Sequence, residues 1–542
     1  MSTFSPSLEQ NQAIAFPGDM VVVARPGSGK TSVVSRKVRS RLAELRTYQG
    51  IIAISFTNKA SDELERRCRA NAFDVKQSFF GTIDEFCLRE IIRPFARQLM
   101  RVAADIRTAK LGELPDPVKQ LLPGMPFDVA RRDNTVEFLP FLQAALAQGY
   151  IPLDAVGLLA YYVFEHSVAC QNYFAARYRA VFIDEYQDSG YFQHELFLKF
   201  RAMGLTAIAV GDANQSIYSF AHKDSRYLLA LTQASSGFAS FAINTNFRSH
   251  PSINDFALRL LDPNHPLVPT NDMRVFIKLI DGDQGAIARW LTTAIPHLMG
   301  HYQVAAAGSV AILCRHQHSA RLIAERIGLD YHLSQDSPFM TAPSAEANLF
   351  SDLLRLRYDP RLTAETLVER AGAPNLNSTA RRALRRVLLR CRTCADSDLA
   401  AAVTDAATSF LGQPPSVPGE TELRDVCADA TLLDRFRSPS PDAVQIMTLH
   451  KAKGLEFDLV FHADLYEHVL PARRYPPGSY GQVLFSDEKQ CLNLHYVGVT
   501  RAIKACVLLT SSSRVNTQGA IKQGATSEFI GRNGTSPAPI PW

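Results

Sequence analysis

Short runs of apolar residues recur along the chain at the length of buried β-strands. They alternate with stretches whose polar and apolar positions repeat at helical spacing. The clearest runs are MVVVA, GIIAIS, AVFIDE, TAIAVGD, SVAILCR, DLVFHADL and CVLLTSS. Continuous apolar runs favour strands that are buried on both faces, as in parallel sheets covered by helices. The pattern therefore predicts an α/β fold with parallel sheets.

Two long regions interrupt this alternation. Residues 92–175 are mainly helical in pattern, and residues 340–440 are rich in Ala, Leu and Arg. Because both lie between strand-like runs, they are predicted to be insertions within α/β domains. The predicted division is a first α/β domain at 1–91 and 176–250 with its helical insertion at 92–175, a second at 251–339 and 441–530 with its insertion at 340–440, and a flexible tail at 531–542.

The first apolar run leads into a glycine-rich loop and then a helical pattern, in the stretch VVVARPGSGKTSVV. Glycines let backbone N–H groups converge on an anion, and a helix N-terminus favours negative charge. In such loops the lysine, here Lys30, reaches the β- and γ-phosphates, and the Thr31 hydroxyl ligates Mg²⁺. A glycine-rich turn without a ligand is the alternative. The sequence predicts a nucleotide-binding loop formed by Ala24, Arg25, Pro26, Gly27, Ser28, Gly29, Lys30 and Thr31, with Ala24 where the general pattern has glycine.

Polar residues follow other predicted strands, at the edge where parallel sheets bind ligands. Asp184 and Glu185 come directly after the run VFI. The first carboxylate can hold Mg²⁺ and the second can act as general base, although capping of the next helix is an alternative. The amide of Gln215 can sense a γ-phosphate. Arg248 and Arg501 can stabilise transition-state charge, although a lone arginine is more often a solvated surface group.

Two aromatic residues alternate in the segment GDANQSIYSF, after the predicted strand TAIAV. They are Tyr218 and Phe220. Such rings either pack in the core or form a platform on which the bases of a single strand stack. Both interpretations remain open on the residues alone.

Composition is that of a soluble globular protein, with 46% hydrophobic and 20% charged residues. The net charge of +5 permits nucleic-acid contacts in a local groove without arguing for them. No apolar run is long enough to cross a bilayer and the N-terminal residues lack a secretion signal, so a cytoplasmic protein without a membrane partner is expected. The nine cysteines suit a reducing cytosol. The C-x-x-C of Cys391 and Cys394 is predicted to contain free thiols and no metal.

Nine segments, taken in order, resemble the signature motifs of UvrD/Rep-type superfamily 1 DNA helicases. They are LEQNQAIA, ARPGSGKT, SFTNKASDEL, GTIDEFC, VFIDEYQD, GDANQSIYSF, NFRS, VQIMTLHKAKGLEFD and YVGVTRA. The resemblance covers the chain from residue 8 to about residue 502. It implies two RecA-like P-loop domains, each with a mainly helical insertion, and a site for ATP and Mg²⁺ in the cleft between the domains.

The resemblance also implies roles for single residues. Gln12 would read the adenine edge, Phe247 would stack on the adenine face where the family usually has tyrosine, and Glu456 would approach the ribose. Arg248 and Arg501 would reach the γ-phosphate. Aromatic side chains grip a single strand without reading its sequence, at about 1–3 kcal/mol per base. The DNA contacts that the resemblance implies are Phe56, Thr82, Tyr218, Phe220 and His450.

Three segments depart from the family pattern, all at places that the family uses for DNA or for coupling to it. Asp84 stands where histidine is usual, and Ala221-His222-Lys223 stands where Arg-Gly-Ala is usual. The run QCLNLH replaces an acidic and then basic run before YVGVTRA. Both insertions are also short for the family. The expected nucleotide site is thus complete, whereas the DNA-coupling surface is altered.

Three functions are consistent with these motifs. The first is an ATP-dependent 3′→5′ single-strand DNA translocase that unwinds duplex DNA. The second is a helicase-like, ATP- or DNA-gated subunit of an antiphage defence complex of the Gabija type, which acts with a partner nuclease and unwinds weakly alone. The third is a switch in which ATP binding clamps DNA or a partner. A general base and an arginine finger argue against a pure switch, because a switch needs neither.

Overall fold

The chain folds into two units that each combine distant parts of the sequence. The computed structural model describes residues 5–104, 106–217, 225–266, 271–341, 345–360, 362–370, 378–474, 484–485 and 487–540. One unit comprises Met1–Phe86, Val168–Ser334 and Ser440–Trp542, and the other comprises Cys87–Ser167 and Gln335–Pro439. The first unit contains both large sheets, and the second contains most of the two regions predicted to be insertions.

The strands of both units are short and most are buried. In chain order they are β1 Met20–Ala24, β2 Gly50–Ser55, β3 Phe79–Thr82, β4 Arg107–Ala109, β5 Tyr150–Pro152, β6 Tyr178–Ile183, β7 Thr206–Gly211, β8 Ala239–Ile243, β9 Val275–Ile280, β10 Val310–Cys314, β11 Tyr331–Leu333, β12 Val444–Thr448, β13 Phe457–His462, β14 Arg473–Arg474, β15 Leu484–Phe485, β16 Ala502–Ser511, β17 Ser513–Val515, β18 Ile521–Gln523 and β19 Ala538–Pro539.

Six strands form the first large sheet, in the order β3-β2-β6-β7-β1-β8. Every neighbouring pair is parallel. The strands of the middle carry the apolar runs predicted from sequence, and Val22, Ala53 and Phe182 are buried in one continuous core. Parallel pairing places the carboxyl ends of all six strands at one edge, where their loops converge.

Seven strands form the second large sheet, in the order β11-β12-β10-β13-β16-β9-β19, again with parallel neighbours throughout. Apolar side chains cover both of its faces, in two separate core clusters. The pairs β14/β15 and β17/β18 are two small antiparallel sheets. Strands buried on both faces explain why the sequence shows continuous apolar runs here.

Helices of the first unit cover the two sheets. Their amphipathic patterns place apolar positions against the strands, as in the phosphate-loop helix, where Val33, Val34 and Val38 are buried. The helices are Leu8–Ala15, Lys30–Ala43, Asn58–Cys68, Ile83–Phe86, Val168–Arg177, Tyr191–Ala202, Arg226–Leu231, Pro251–Leu261, Gln284–His301, Gln317–Ala324 and Glu488–Val499.

The second unit is mainly helical, with one two-stranded parallel sheet of β4 and β5. Part of its core is formed by residues such as Phe350, Leu388 and Val403. A π-helix covers Cys87–Ile92. The α-helices are Arg93–Phe95, Asp116–Lys119, Leu139–Ala147, Val156–His166, Ala345–Tyr358, Ala364–Arg370, Ser378–Thr393, Leu399–Leu411, Val417–Ala428 and Ala430–Leu433.

The α/β class and the parallel sheets predicted from sequence are confirmed, while the proposed domain boundaries stay a prediction. The flexible tail predicted at 531–542 also stays a prediction, and within it Ala538–Pro539 pair with Phe276 and Ile277 of β9. All nine cysteines lie within the described residues, and none of them forms a disulfide there. In the described part of the chain, no helix combines the length and apolarity needed to span a membrane.

Candidate functional site

The glycine-rich loop runs from the end of β1 to the helix that begins at Lys30. Gly27 and Gly29 have φ angles of +73° and +77°, a region that side-chain-bearing residues rarely adopt. A Cβ atom on Gly27 would lie 2.8 Å from Cβ of Arg248 and 2.9 Å from the side-chain amide of Asn246. Glycine is therefore required at this position both for its backbone conformation and for the close approach of the 246–248 segment.

Hydrogen bonds from two other segments fix the shape of this loop. The Asn246 amide Nδ2 donates to the carbonyl of Pro26 at 2.9 Å, and the backbone N–H of Phe247 donates to that of Gly27 at 2.9 Å. Gln10, which is fully buried, donates from Nε2 to the carbonyl of Ser28 at 2.7 Å. The N-cap residue of the following helix is Gly29, which has no side chain that could bond to the first amides of the helix.

An acidic turn after β6 faces Lys30. The Lys30 ammonium lies 3.5 Å from Oε1 of Glu185, whose backbone has a left-handed φ of +56°. Residues other than glycine adopt this conformation at a cost of roughly 1–3 kcal/mol, so surrounding contacts must hold it. Gln187 supplies one of them, since its Nε2 donates to Oε2 of Glu185 at 2.5 Å and its Oε1 accepts from the Asp212 N–H at 2.9 Å.

Burial and charge set the protonation of this turn. Burial and the adjacent Glu185 carboxylate raise the pKa of Asp184 to about 6. Burial opposes ionisation of Glu185 as well, but the cations Lys30 and Lys453 lower the pKa of its carboxyl to about 2. Burial also works against the charge of Lys30, yet the three nearby carboxylates raise its pKa above the ordinary value. Glu185 is consequently an ionised carboxylate at neutral pH.

The turn after β7 connects this acidic cluster to the second sheet. Gln215 is buried, and its Nε2 donates to Oδ2 of Asp212 at 2.8 Å. Its Oε1 accepts from the guanidinium of Arg501 at 3.2 Å. Arg501 is only 2% exposed, and it also donates to the carbonyls of Val497 and Leu455. Burial and the nearby Arg248 lower the pKa of the Arg501 guanidinium to about 10, so it stays charged at neutral pH.

Two ion pairs complete the contact between the sheets of the first unit. Arg248 Nε lies 2.6 Å from Oε2 of Glu456. Lys453 Nζ lies 2.5 Å from Oδ2 of the buried Asp188 and donates to the carbonyl of Gln215 at 2.7 Å. Residues from strand ends of both sheets are thus connected around the phosphate loop.

The residues of this site fit a nucleoside triphosphate bound together with a divalent cation. The loop offers amides at a helix N-terminus together with the ammonium of Lys30, and both favour phosphate oxygens. The buried Ser28 hydroxyl has no hydrogen-bond partner in the part of the chain that the structure describes. Two carboxylates, Asp184 and Glu185, lie near Lys30, which precedes the half-buried Thr31 in the chain. Hard oxygen ligands of this kind suit Mg²⁺.

The two residues predicted to recognise adenine are both exposed, and the backbone of one of them, Phe247, is bonded to the loop at Gly27. Phe247 is 57% exposed, which is unusual for a large aromatic side chain. Gln12 is exposed on the first helix. Ala24 is buried at the end of β1, and Arg25 donates from its backbone N–H to the carbonyl of Ile243. The roles assigned to these residues stay predictions.

The predicted DNA contacts are dispersed along the carboxyl edges of the sheets. Phe56 follows β2, and the Lys453 ammonium lies 5.8 Å from the centre of its ring. Thr82 ends β3, beside Ser55 in the register, and its hydroxyl accepts from the N–H of Glu85 at 3.3 Å. His450 follows β12, and burial lowers the pKa of its imidazole to about 4. Tyr218, Phe220 and the segment Ala221-His222-Lys223 lie outside the described residues.

Sequence reasoning missed the residues that support the site. Gln10, Gln187 and Asn246 are polar, buried or partly buried, and bonded to the loops that carry the predicted residues. Asn493 and Gln490 were also missed. Their amides donate to the carbonyls of Ser216 and Ile217 at 2.9 and 2.8 Å. For Gln10, Gln187 and Asn246, the available signal was their position beside motif residues in LEQNQ, DEYQD and NTNFRS.

Two family models match the chain in separate regions. The model described as an AAA domain matches residues 10–221. The model described as the UvrD-like helicase C-terminal domain matches residues 403–513. The first match contains the phosphate loop and both polar turns, and the second contains Lys453, Glu456 and Arg501.

Similar curated proteins fall into two kinds. The ATP-dependent DNA helicase UvrD2 of Mycobacterium tuberculosis (strain ATCC 25618 / H37Rv) is 25% identical over 592 residues, which covers 98% of this chain and 81% of that protein. The ATP-dependent DNA helicase PcrA of Leuconostoc citreum is 23% identical, over 98% of this chain and 85% of that protein. The Gabija protein GajB of Bacillus cereus (strain VD045) is 28% identical over 276 residues. That match spans 51% of this chain and about half of GajB, namely 53%.

Proposed function

This chain belongs to the UvrD-like superfamily 1 helicases, and on that premise we propose that it is an ATP-dependent DNA helicase that translocates 3′→5′ along a single strand. The observation that carries the proposal is the buried bond between Arg501 and Gln215, at 3.2 Å. This bond joins Arg501, which directly precedes β16 of the second sheet, to the turn after β7 of the first sheet. The same turn also contacts the acidic cluster of the first sheet. Matches that cover 98% of this chain, to two proteins named ATP-dependent DNA helicases, support the same proposal.

The nucleotide site would bind ATP with Mg²⁺, which supplies charge to polarise the phosphate. Lys30 and the loop amides would hold the phosphates, while Thr31 and Asp184 would hold the cation. Glu185 is ionised beside Lys30, so it can accept a proton from the attacking water. Arg248 and Arg501 would face the γ-phosphate, where positive charge stabilises the transition state.

Translocation would follow from linking this site to a single strand. Residues 215–217 accept four hydrogen bonds from the second sheet's side of the cleft. Three go to main-chain carbonyls, from Lys453, Asn493 and Gln490. The fourth goes from Arg501 to the side-chain Oε1 of Gln215. The segment that continues from Ile217 carries the predicted stacking residues Tyr218 and Phe220. Hydrolysis of the nucleotide would change the contacts of Gln215. That change would move the predicted stacking residues Tyr218 and Phe220 relative to the second sheet.

The primary experiment measures ATP hydrolysis by purified protein with and without single-stranded DNA. We expect strong stimulation by the single strand, and its absence in Lys30→Ala. Slow hydrolysis that ignores DNA would contradict a translocase. For polarity, partial duplexes with a 3′ or a 5′ single-stranded tail should be compared, and only the 3′-tailed duplex should be unwound.

A second candidate is a helicase-like subunit that acts with a partner nuclease in antiphage defence. The match to the Gabija protein GajB favours it, as does the altered QCLNLH segment, which holds Gln490 and Asn493. Co-expression with the product of the neighbouring reading frame tests it. A stable complex with DNA-gated nuclease activity is the expected result, and separate elution of the two proteins would count against it. A cytoplasmic location is part of both proposals.

A further inference from the structure

One lysine of the phosphate-loop helix is bonded to the helix that carries Gln12. Lys37 lies on helix Lys30–Ala43 and is only 2% exposed. Its ammonium group donates to three carbonyl groups at the C-terminal end of helix Leu8–Ala15. They are those of Ala13 at 3.1 Å, Ile14 at 3.2 Å and Phe16. Because the last carbonyls of a helix have no partner within the helix, Lys37 supplies donors that this helix end otherwise lacks.

Lys37 is charged when it makes these bonds at neutral pH. Burial, with a smaller effect of Arg41, lowers the pKa of Lys37 to about 8, so the ammonium form predominates at pH 7. An ammonium group has three N–H donors, and here three carbonyls accept from it. A buried charge is unfavourable unless its protons are hydrogen-bonded. Lys37 therefore holds the end of helix Leu8–Ala15 against the phosphate-loop helix.

A carboxylate bonds the same helix to another segment. Glu9 Oε2 accepts from the backbone N–H groups of Asn244 and Thr245 at 3.0 and 3.3 Å, and from the Thr245 hydroxyl at 3.3 Å. These two residues lie between β8 and Phe247 in the chain. Helix Leu8–Ala15 is thus bonded to the phosphate-loop helix through Lys37, and to the segment that carries Phe247 through Glu9.

The two predicted adenine contacts depend on the backbone for their positions. The exposed Gln12 side chain makes no hydrogen bond within the described residues, and the Phe247 ring is exposed as well. Hydrogen bonds to the edge of a base weaken steeply when their angle is poor, whereas stacking on a ring tolerates every base. Selection among bases therefore depends on where the helix holds Gln12.

We propose that Lys37 and Glu9 are positioning residues for the choice of base. They hold the predicted adenine contacts Gln12 and Phe247 at the spacing that fits adenine, and so set the preference for ATP over GTP. This role rests on the proposed function, since it takes the bound nucleotide to be ATP. Neither Lys37 nor Glu9 touches the nucleotide.

The test measures binding of ATP and GTP to the full-length protein at pH 7, by competition with a fluorescent nucleotide, together with KM and kcat for each. Lys37→Met keeps the length of the side chain and loses the donors. We expect the ratio of the GTP to the ATP dissociation constant to fall about tenfold in this variant, as for the loss of a directional hydrogen bond. The KM for ATP should rise while kcat stays within about twofold. Lys37→Arg, which keeps a cation with several donors, should restore most of the preference.

Arg41→Met is the matched control. Arg41 lies about one turn further along the same helix, and it donates to the carbonyl of Pro17 and the hydroxyl of Thr206, both outside helix Leu8–Ala15. This substitution also removes donors from a cation of the phosphate-loop helix. It should change the ratio of the two dissociation constants by less than about twofold.

Glu9 provides a second pair of variants, which keeps the test decisive if Lys37→Met fails to fold. Glu9→Ala removes the acceptor for Asn244 and Thr245, so it should reduce the preference for ATP as Lys37→Met does. Glu9→Gln keeps an oxygen acceptor and should retain most of the preference.

The outcomes separate this role from the proposed function. A preference for ATP in Lys37→Met and Glu9→Ala equal to that of Arg41→Met would overturn the proposal, because the bonds would then serve stability alone. Wild-type protein that binds ATP and GTP equally would also overturn it and leave the translocase intact. Wild-type protein that prefers ATP but shows no DNA-stimulated hydrolysis would refute the translocase and leave the measurement of base preference valid.

Discussion

Replacing Gln10 with methionine should weaken the nucleotide site from a position that contacts no ligand. Methionine keeps the length of the side chain but removes two bonds, from the Ser7 N–H to Oε1 at 2.9 Å and from Nε2 to the Ser28 carbonyl at 2.7 Å. A buried carbonyl without a donor costs about 1–3 kcal/mol, and a lost helix-capping bond costs about 1 kcal/mol. We therefore expect the free energy of local opening to fall by about 2–4 kcal/mol. The KM for ATP should rise about tenfold, equivalent to about 1.4 kcal/mol.

Hydrogen exchange over residues 5–31 measures the local opening, and steady-state hydrolysis measures the KM. Ser7→Ala is the matched control, because it removes the capping bond to Gln10 N–H and leaves the bond to Ser28 intact. Gln12→Ala is a second control. It lies on the exposed side of the same helix, so it should change local opening by less than about 0.5 kcal/mol and reduce the preference for ATP over GTP. Equal exchange in Gln10→Met and Ser7→Ala, with an unchanged KM, would refute the reasoning.

Three further outcomes are expected. Glu185→Gln should lower ATP hydrolysis by about 10²–10⁴-fold and abolish unwinding. ATP should still bind, which a filter-binding assay can measure. Unwinding that survives would instead indicate an ATP-gated switch. Lys453→Met removes the ion pair to the fully buried Asp188 carboxylate, and the free energy of unfolding should fall by about 3–5 kcal/mol. Adding Asp188→Asn in the same chain should restore part of the lost thermal midpoint. Burial lowers the pKa of His462 from 6.5 to about 4, so its neutral form is preferred in the fold. Stability should accordingly be full above about pH 6.5 and decline as the pH falls toward 4, and a thermal midpoint equal at pH 7.5 and pH 5 would contradict this.

The strands that the sequence predicted are those with continuous apolar runs. β1, β2, β6, β7, β10, β13 and β16 all appear where such runs occur. The sequence did not single out β3 and β8, which form the edges of the first sheet, or β12. β8 is only partly buried along most of its length. β12 contains the buried Gln445, whose amide donates to the carbonyl of Ala443 at 2.8 Å. Because a polar residue with a local hydrogen-bond partner can be buried in a strand, a hydropathy pattern alone does not identify such a strand.

The sequence by itself determined the local chemistry of this protein. Gly27, Gly29 and Lys30 follow an apolar strand and open a helix, and this order alone predicts a phosphate loop because backbone conformation and residue spacing are local properties. The same holds for Asp184 and Glu185 at the end of β6.

Only the tertiary structure decided which distant residues meet. Arg501 contacts Gln215 across 286 positions of the chain, and Gln10 contacts Ser28 across 18. A cavity of about 140 Å³, whose lining includes Ser319, Asp464 and Arg514, likewise joins segments that no spacing connects. Strand order and the packing of helices on both sheets set these contacts. Each depends on many weak apolar interactions summed over the core, which a linear pattern of residues does not specify.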